Sequence, residues 1–326
     1  MSYAELYQQS IDDPTTYWAG QAKLIHWQQP CTQVLDNSNP PFSRWFVGGK
    51  TNLCYNAIDR WAETQGETRA LIAVSSETGI EQTWTFSELL AEVNRCAAML
   101  QSLGVGKGDR VLIYLPMIAQ SMFAMMACAR IGAIHSVVFG GFASLSLATR
   151  IDDAKPKLII SADAGSRAGK VVPYKPLLDA AIDLAQHKPE RVLLVDRGLA
   201  PMQLVAGRDA DYATLRDQHI DARVPVTWLD ATDISYILYT SGTTGTPKGV
   251  QRDVGGYAVA LASSMQQIFC GKPGGVFFTT SDIGWVVGHS YIIMARSWPV
   301  WLLSCTKGCR SARMPGSGGA LSNNTG

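Results

Sequence analysis

From about residue 84 the chain settles into a rhythm of helical stretches and short apolar runs. The helical stretches span residues 86–103, 122–131, 145–153 and 176–186, and the apolar runs fall at 111–114, 136–139, 158–161, 192–195 and 234–238. Turn residues punctuate them: Gly104-Val105-Gly106-Lys107-Gly108-Asp109 precedes the first run and Pro116 ends it. The runs are β-branched and do not alternate with polar residues, so each strand is expected to be covered on both faces. The predicted class is α/β, a mostly parallel sheet with helices on both faces. Residues up to about Asn52 are instead rich in aromatic and turn residues, with Asn37-Ser38-Asn39-Pro40-Pro41 as the clearest loop signal. They read as an extension wrapped over the core.

Composition narrows the partners. With 326 residues, 47% of them hydrophobic, the chain can bury a substantial core. Its net charge of +1 supplies no bulk field for nucleic acid or an anionic membrane, so any phosphate must be held locally. The most apolar window, 117–134, is broken by Gln120, Ser121 and Arg130 and reads as a buried helix rather than a membrane span. Seven scattered cysteines without a paired framework fit a reducing cytoplasm, and the first ten residues lack the basic and apolar regions of a secretory signal.

The sharpest chemistry follows the last apolar run: Tyr239-Thr240-Ser241-Gly242-Thr243-Thr244-Gly245-Thr246-Pro247-Lys248-Gly249-Val250. Glycines allow close backbone approach to a ligand, and the hydroxyls and backbone N–H groups can wrap phosphate oxygens. Lys248 adds a fixed cation, and charge-assisted bonds to phosphate are roughly twice as strong as neutral ones. A Walker A loop needs a hydroxyl residue directly after its lysine, and here Gly249 follows. A flexible Ser/Thr/Gly connector shares the composition but does not account for Pro247-Lys248-Gly249 so soon after a buried strand.

This loop resembles the signature of the adenylate-forming superfamily: acyl-CoA synthetases, luciferases and peptide synthetase adenylation domains. Further segments are similar to the acetyl-CoA synthetase-like, short-chain group: Gly132-Ala133-Ile134-His135-Ser136-Val137-Val138-Phe139-Gly140-Gly141-Phe142, Arg167-Ala168-Gly169-Lys170, Gly255-Gly256-Tyr257, and residues 282–291 with Trp285 at their centre. The resemblance runs to about Ile293. It implies an N-terminal extension over residues 1–60 and part of the large adenylate-forming domain over 61–293. It also implies ligation of a short-chain acid to coenzyme A through an acyl-adenylate, with ATP, Mg2+ and coenzyme A.

On this resemblance Thr240, Ser241, Gly242, Thr243, Thr244, Gly245, Thr246 and Lys248 bind the triphosphate. Arg167, Ala168, Gly169 and Lys170 hold the nucleotide end of coenzyme A, although such a basic turn alone reads as solvated surface. Trp285, Val286 and Val287 form the wall of the acyl pocket. Related acetate enzymes tend to carry Thr where Val287 stands, which implies a preference for propionate. The family's catalytic lysine lies in a C-terminal domain that this chain is expected to lack, so no catalytic residue is assigned.

Other groups carry no chemistry in this reading. The attacking acid is already a carboxylate, so His289 need not act as a base and reads as structural. Asp152-Asp153 read as the polar end of a helix, and Cys305 and Cys309 have no histidine or second cysteine pair to complete a zinc site. No protein-bound metal is expected.

The pattern breaks after Ile293. Residues 294–326 hold cations without acids and end in a Ser/Gly/Asn tail. One permitted set of codons for this segment, read one nucleotide out of phase, spells Tyr-Gly-Ala-Leu-Val-Ala-Gly-Met-Ala-Thr-Ile-Val-Tyr-Glu-Gly, which resembles an acyl-CoA synthetase. The segment is therefore expected to be frameshifted and disordered, and full turnover is not expected. The alternative is a non-catalytic remnant that binds at most phosphate or coenzyme A.

Overall fold

The computed structural model describes residues 2–75, 78–167, 169–240, 247–271, 275–279, 281–294 and 301–304. The chain begins with helices α1 (Tyr3–Asp12) and α2 (Pro14–Gln21), followed by strands β1 (Gln33–Asn39), β2 (Phe42–Val47) and β3 (Lys50–Thr51). Then come α3 (Arg60–Gln65), β4 (Arg69–Val74), β5 (Glu81–Thr85), α4 (Phe86–Ser102), β6 (Arg110–Tyr114), α5 (Ala119–Ile131), β7 (Ile134–Val137), α6 (Ser144–Ala154) and β8 (Leu158–Ala162). The hairpin β9 (Ala164–Arg167) and β10 (Lys170–Pro173) leads to α7 (Tyr174–Leu184), β11 (Arg191–Val195), β12 (Asp209–Asp211), α8 (Tyr212–Gln218) and β13 (Leu229–Asp230). Last are β14 (Ile234–Thr240), β15 (Lys248–Asp253), α9 (Gly255–Gln267), β16 (Phe277–Thr279) and β17 (Trp301–Ser304).

Seven strands form the central sheet in the order β12-β11-β8-β6-β7-β14-β15, parallel throughout except for the antiparallel edge strand β15. Its strands feed two cores by simple alternation. Val111, Ile113, Leu158, Ile160 and Leu193 pack under α4, α5 and α9, whereas Leu112, Tyr114, Ile159, Val192 and Leu194 pack under α6 and α7. Both faces are covered, so the runs read as continuously apolar and the α/β expectation holds.

Local chemistry sets the boundaries. Helix α4 starts with a capping box: Thr85 Oγ1 accepts from Glu88 N at 3.2 Å, and Glu88 Oε2 accepts from Thr85 N at 2.8 Å. Helix α5 stops at Gly132, whose φ of +74° is left-handed and whose missing Cβ would lie 2.8 Å from Leu229. Strand β7 spans Ile134–Val137 instead of the predicted 136–139, because polar His135 is buried within it. Helix α7 starts at Tyr174, ahead of the predicted 176, since Pro176 sits in the first turn where no N–H is needed.

The N-terminal layer is more regular than its turn-rich sequence predicts. Asp13 caps α2, accepting from Thr16 N at 3.0 Å with Pro14 at the first helical position. The layer is tied to distant chain: Tyr17 Oη donates to Gln267 Oε1 at 2.9 Å, and Asn52 Nδ2 donates to Ala129 O at 2.7 Å and Thr227 O at 2.9 Å. A second sheet runs β16-β17-β4-β5. Within the 294–326 segment expected to be disordered, Trp301–Ser304 thus form a strand paired parallel to β4 and β16. Residues 305–326 lie outside the described residues.

Candidate functional site

Because β6, β7, β8 and β14 are mutually parallel, their carboxyl ends lie along one edge of the sheet, and the chain order reverses across β6. Ligands of open α/β sheets bind at such an edge. Three of the predicted segments follow these strand ends: the turn 138–143 after β7, the β9–β10 hairpin after β8, and the phosphate loop after β14.

The phosphate loop closes an antiparallel pair. Thr240 is in register with Lys248, so the two sides of the loop are anchored opposite each other, while Ser241, Gly242, Thr243, Thr244, Gly245 and Thr246 lie outside the described residues. Thr240 and Lys248 are exposed, and Lys248 makes no ion pair among the described residues. The strand end is braced from α6: Tyr239 Oη donates to Asp153 Oδ2 at 2.5 Å, and the Arg150 guanidinium lies 5.5 Å over the Tyr239 ring. Burial, then the hydrogen bond to Asp153, pushes the Tyr239 phenol up and keeps it a donor.

The β9–β10 hairpin puts Arg167 in register with Lys170 across a two-residue turn, with Gly169 at a φ of +78°. Ala168 and the Arg167 side chain lie outside the described residues, and Lys170 is exposed. Buried Asp163 roots the hairpin: Oδ1 accepts from Ala164 N at 2.6 Å, and Oδ2 accepts from Leu199 N at 2.7 Å and Ala200 N at 3.1 Å. Sequence reading missed Asp163, since a lone aspartate at a strand end carries no pattern.

Trp285 lies on a bend and Val286 and Val287 open the helical segment that follows it; all three are about half exposed. The turn is held by Gly284 N donating to Asp282 Oδ1 at 2.7 Å and Trp285 N donating to Asp282 O at 3.0 Å. The Trp285 ring is 6.1 Å from Phe139, beside the turn after β7. Val286 instead borders a cavity of about 390 Å³ between Trp18 and Trp45 of the N-terminal layer and Tyr257 and Leu261 of α9. The structure therefore keeps the three residues together where the bend enters the helix, with only Val286 of the three lining that cavity.

Behind the turn is a buried polar chain that the sequence did not reveal. His289 N donates to Trp285 O at 2.9 Å, and its side chain is 2.8 Å Nε2 to Nε2 from His135 of β7. Tyr257 Oη donates to Ser290 Oγ at 2.9 Å and lies 3.3 Å from His289 Nδ1. Across the Nε2–Nε2 contact one neutral imidazole donates and the other accepts. His135 Nδ1 has no partner among the described residues. Burial pushes His135 down to about 3, and burial with the adjacent His135 pushes His289 well below its ordinary value. A neutral, wholly buried His289 serves as a strut for the turn.

Nearby, Asp253 Oδ1 accepts from Tyr257 N at 3.1 Å at the start of α9, and burial raises its carboxyl to about 6. The five described cysteines, Cys31, Cys54, Cys96, Cys128 and Cys270, are free thiols. No helix among the described residues is long and apolar enough to cross a membrane.

Comparison with known proteins agrees with this architecture. Residues 3–57 match the acetyl-coenzyme A synthetase N-terminus pattern. The propionate–CoA ligases of Escherichia coli (strain K12) and Salmonella typhimurium are each 68% identical to this chain over 295 residues, covering 90% of it and 47% of each ligase. The mitochondrial acyl-CoA synthetase short-chain family member 3 of Rattus norvegicus is 48% identical over 294 residues, covering 89% of this chain and 42% of that protein. The chain spans about half the length of these relatives. The AMP-binding enzyme pattern matches residues 58–297, from the start of the core through the β14–β15 hairpin and Trp285, and the chain belongs to that family.

Proposed function

We propose that this chain carries part of the active site of an ATP-dependent short-chain acid–CoA ligase that works through an acyl-adenylate. The observation that carries the reading is the exposed pair Thr240 and Lys248, held in register at the carboxyl end of a parallel strand within the phosphate-loop sequence. There the Lys248 ammonium and the loop hydroxyls would hold the triphosphate while the acid's carboxylate attacks the α-phosphorus and pyrophosphate leaves. The thiol of coenzyme A then displaces AMP, its nucleotide end held at Arg167 and Lys170. Positioning and stabilisation of spreading negative charge supply the chemistry. No base is required of His289, which is buried and neutral.

No group of three or more His, Cys, Asp or Glu is gathered among the described residues. Magnesium, if it follows the usual pattern, would be held largely by the nucleotide's own phosphates and water, neutralising their charge. Two features support propionate: the names of the two bacterial ligases that are 68% identical to this chain, and the apolar Val287 next to Trp285. One methylene discriminates by about 1–3 kcal/mol, so the expected outcome is preference, not exclusivity.

The residues after Ile293 belong to the same proposal. The family match stops at 297, close to where the one-base offset restores synthetase-like sequence. The coding DNA tests this directly, and downstream frames without synthetase-like sequence would refute the frameshift. Pyrophosphate exchange with propionate and ATP tests the activity. We expect no exchange from this chain, clear exchange from a frame-restored version, and loss of exchange in the restored version on Lys248→Ala. Undiminished exchange in that variant would remove Lys248 from the site.

A further inference from the structure

Tyr174, the first residue of α7, is buried and stacks on Tyr114 of β6 with ring centroids 4.8 Å apart. Its hydroxyl end fills the space that side chains would need at two glycines on different segments. A Cβ built on Gly165 of β9 would lie 2.5 Å from Tyr174 Oη, and one built on Gly140 in the turn after β7 would lie closer still. The same ring pair grips that turn a second time, because Tyr114 Oη donates to Phe142 O at 3.1 Å. Tyr174 N also donates to Asp163 O at 2.8 Å, fixing the ring relative to the root of the hairpin.

The hairpin needs such a brace. Strands β9 and β10 pair only with each other, outside the seven-stranded sheet, and residues 169–171 are exposed. A two-stranded ribbon is marginal by itself, so its orientation must come from what packs against its base. We propose that Tyr174 is a positioning residue for coenzyme A, its ring acting as the spacer that sets the β9–β10 hairpin against the turn 139–142. This rests on the reading of Arg167 to Lys170 as the anchor for the nucleotide end of coenzyme A. Glycine at both 140 and 165 is then the complement of the tyrosine, because the phenol takes up the volume of two missing side chains.

The test is calorimetric titration of coenzyme A into the 326-residue chain, with amide hydrogen exchange followed over 139–142 and 164–173. Tyr174→Leu and Lys170→Ala are each expected to weaken binding by about tenfold, as misplacement or loss of one anchoring contact does. Tyr174→Phe keeps the ring and should stay within about threefold of the parent. Exchange should quicken in both segments of Tyr174→Leu and hold constant in β6. Gly165→Ala pushes on the intact tyrosine from the hairpin side and should reproduce the loss, which guards against a leucine variant that fails to fold. If Lys170→Ala weakens binding while Tyr174→Leu and Gly165→Ala do not, the spacer is overturned and the anchor stands. If the unaltered chain does not bind coenzyme A, the anchor reading falls and the coenzyme A role of Tyr174 falls with it.

Discussion

Arg130 lies in the last turn of helix α5 in the core, and Lys248 begins the edge strand β15 at the rim. Arg130 is 6% exposed; its Nη1 pairs with Asp59 at 2.8 Å and its Nε donates to Val224 O at 2.6 Å, so one guanidinium joins three distant parts of the chain. Lys248 is exposed and unpaired among the described residues. Arg130 is committed to holding the fold, whereas Lys248 keeps its charge in solvent with no counter-ion among the described residues. Substitutions at the two places should therefore fail in different assays.

The largest effect is expected in the core. Asp59→Ala leaves Arg130 buried without its counter-ion and should cost about 3–5 kcal/mol in denaturant unfolding. A loss below about 1 kcal/mol, the range of exposed pairs, would mean that water reaches Arg130 and would erase the contrast.

Acid probes the same contrast through the histidine pair. The unfolded chain takes up protons at His135 and His289 near pH 6.5, whereas the fold resists, with His135 down to about 3. Their contribution is intact above about pH 6.5 and declines as the pH falls, by up to about 1.4 kcal/mol per pH unit per histidine. Asp253 has the opposite sign: raised to about 6, it keeps its proton better folded than unfolded and partly offsets the loss in acid. Denaturation midpoints measured from pH 8 to 5 should fall, and more steeply in Asp253→Asn. A flat profile would put both imidazoles in contact with solvent.

Tyr257→Phe removes the donor to Ser290 and the partner of His289 Nδ1, and should cost about 1–2 kcal/mol. If the strut matters to the site, propionate affinity in a frame-restored protein should weaken as well, whereas ATP affinity should not. The smallest effect on stability is expected at Lys248→Ala, within about 0.5 kcal/mol of the parent. Its ATP affinity should nonetheless drop by about tenfold or more, the loss of one charge-assisted phosphate contact. A marked change in stability there would show that Lys248 serves the fold.

The same division explains what could be read from the sequence. Strands β6, β8 and β11 feed apolar side chains into two cores, so their runs were plain. Strand β7 was misread by two residues because His135 is polar, and only the fold supplies the His289 that satisfies it. Strand β15 was not foreseen, since Lys248–Asp253 is an exposed edge without apolar alternation. The β9–β10 hairpin has the same cause: it contributes little to either core, and its turn reads as solvated surface. The segment after β14 stood out for the opposite reason, because its run of glycines, hydroxyls and one lysine is a pattern that packing does not impose. Asp163, Tyr174 and Tyr257 act through tertiary contacts and leave no local pattern.

The ties of the N-terminal layer have a consequence for biosynthesis. Asn52 waits for the carbonyl of Thr227 and Tyr17 for the amide of Gln267, so neither bond can close until those residues leave the ribosome. At roughly 5–20 residues per second, the first helices spend on the order of ten seconds or more without their final neighbours. During that interval Trp18 and Trp45 have no α9 to rest on, and a chaperone that grips aromatic segments would find its target there rather than in the later-made sheet.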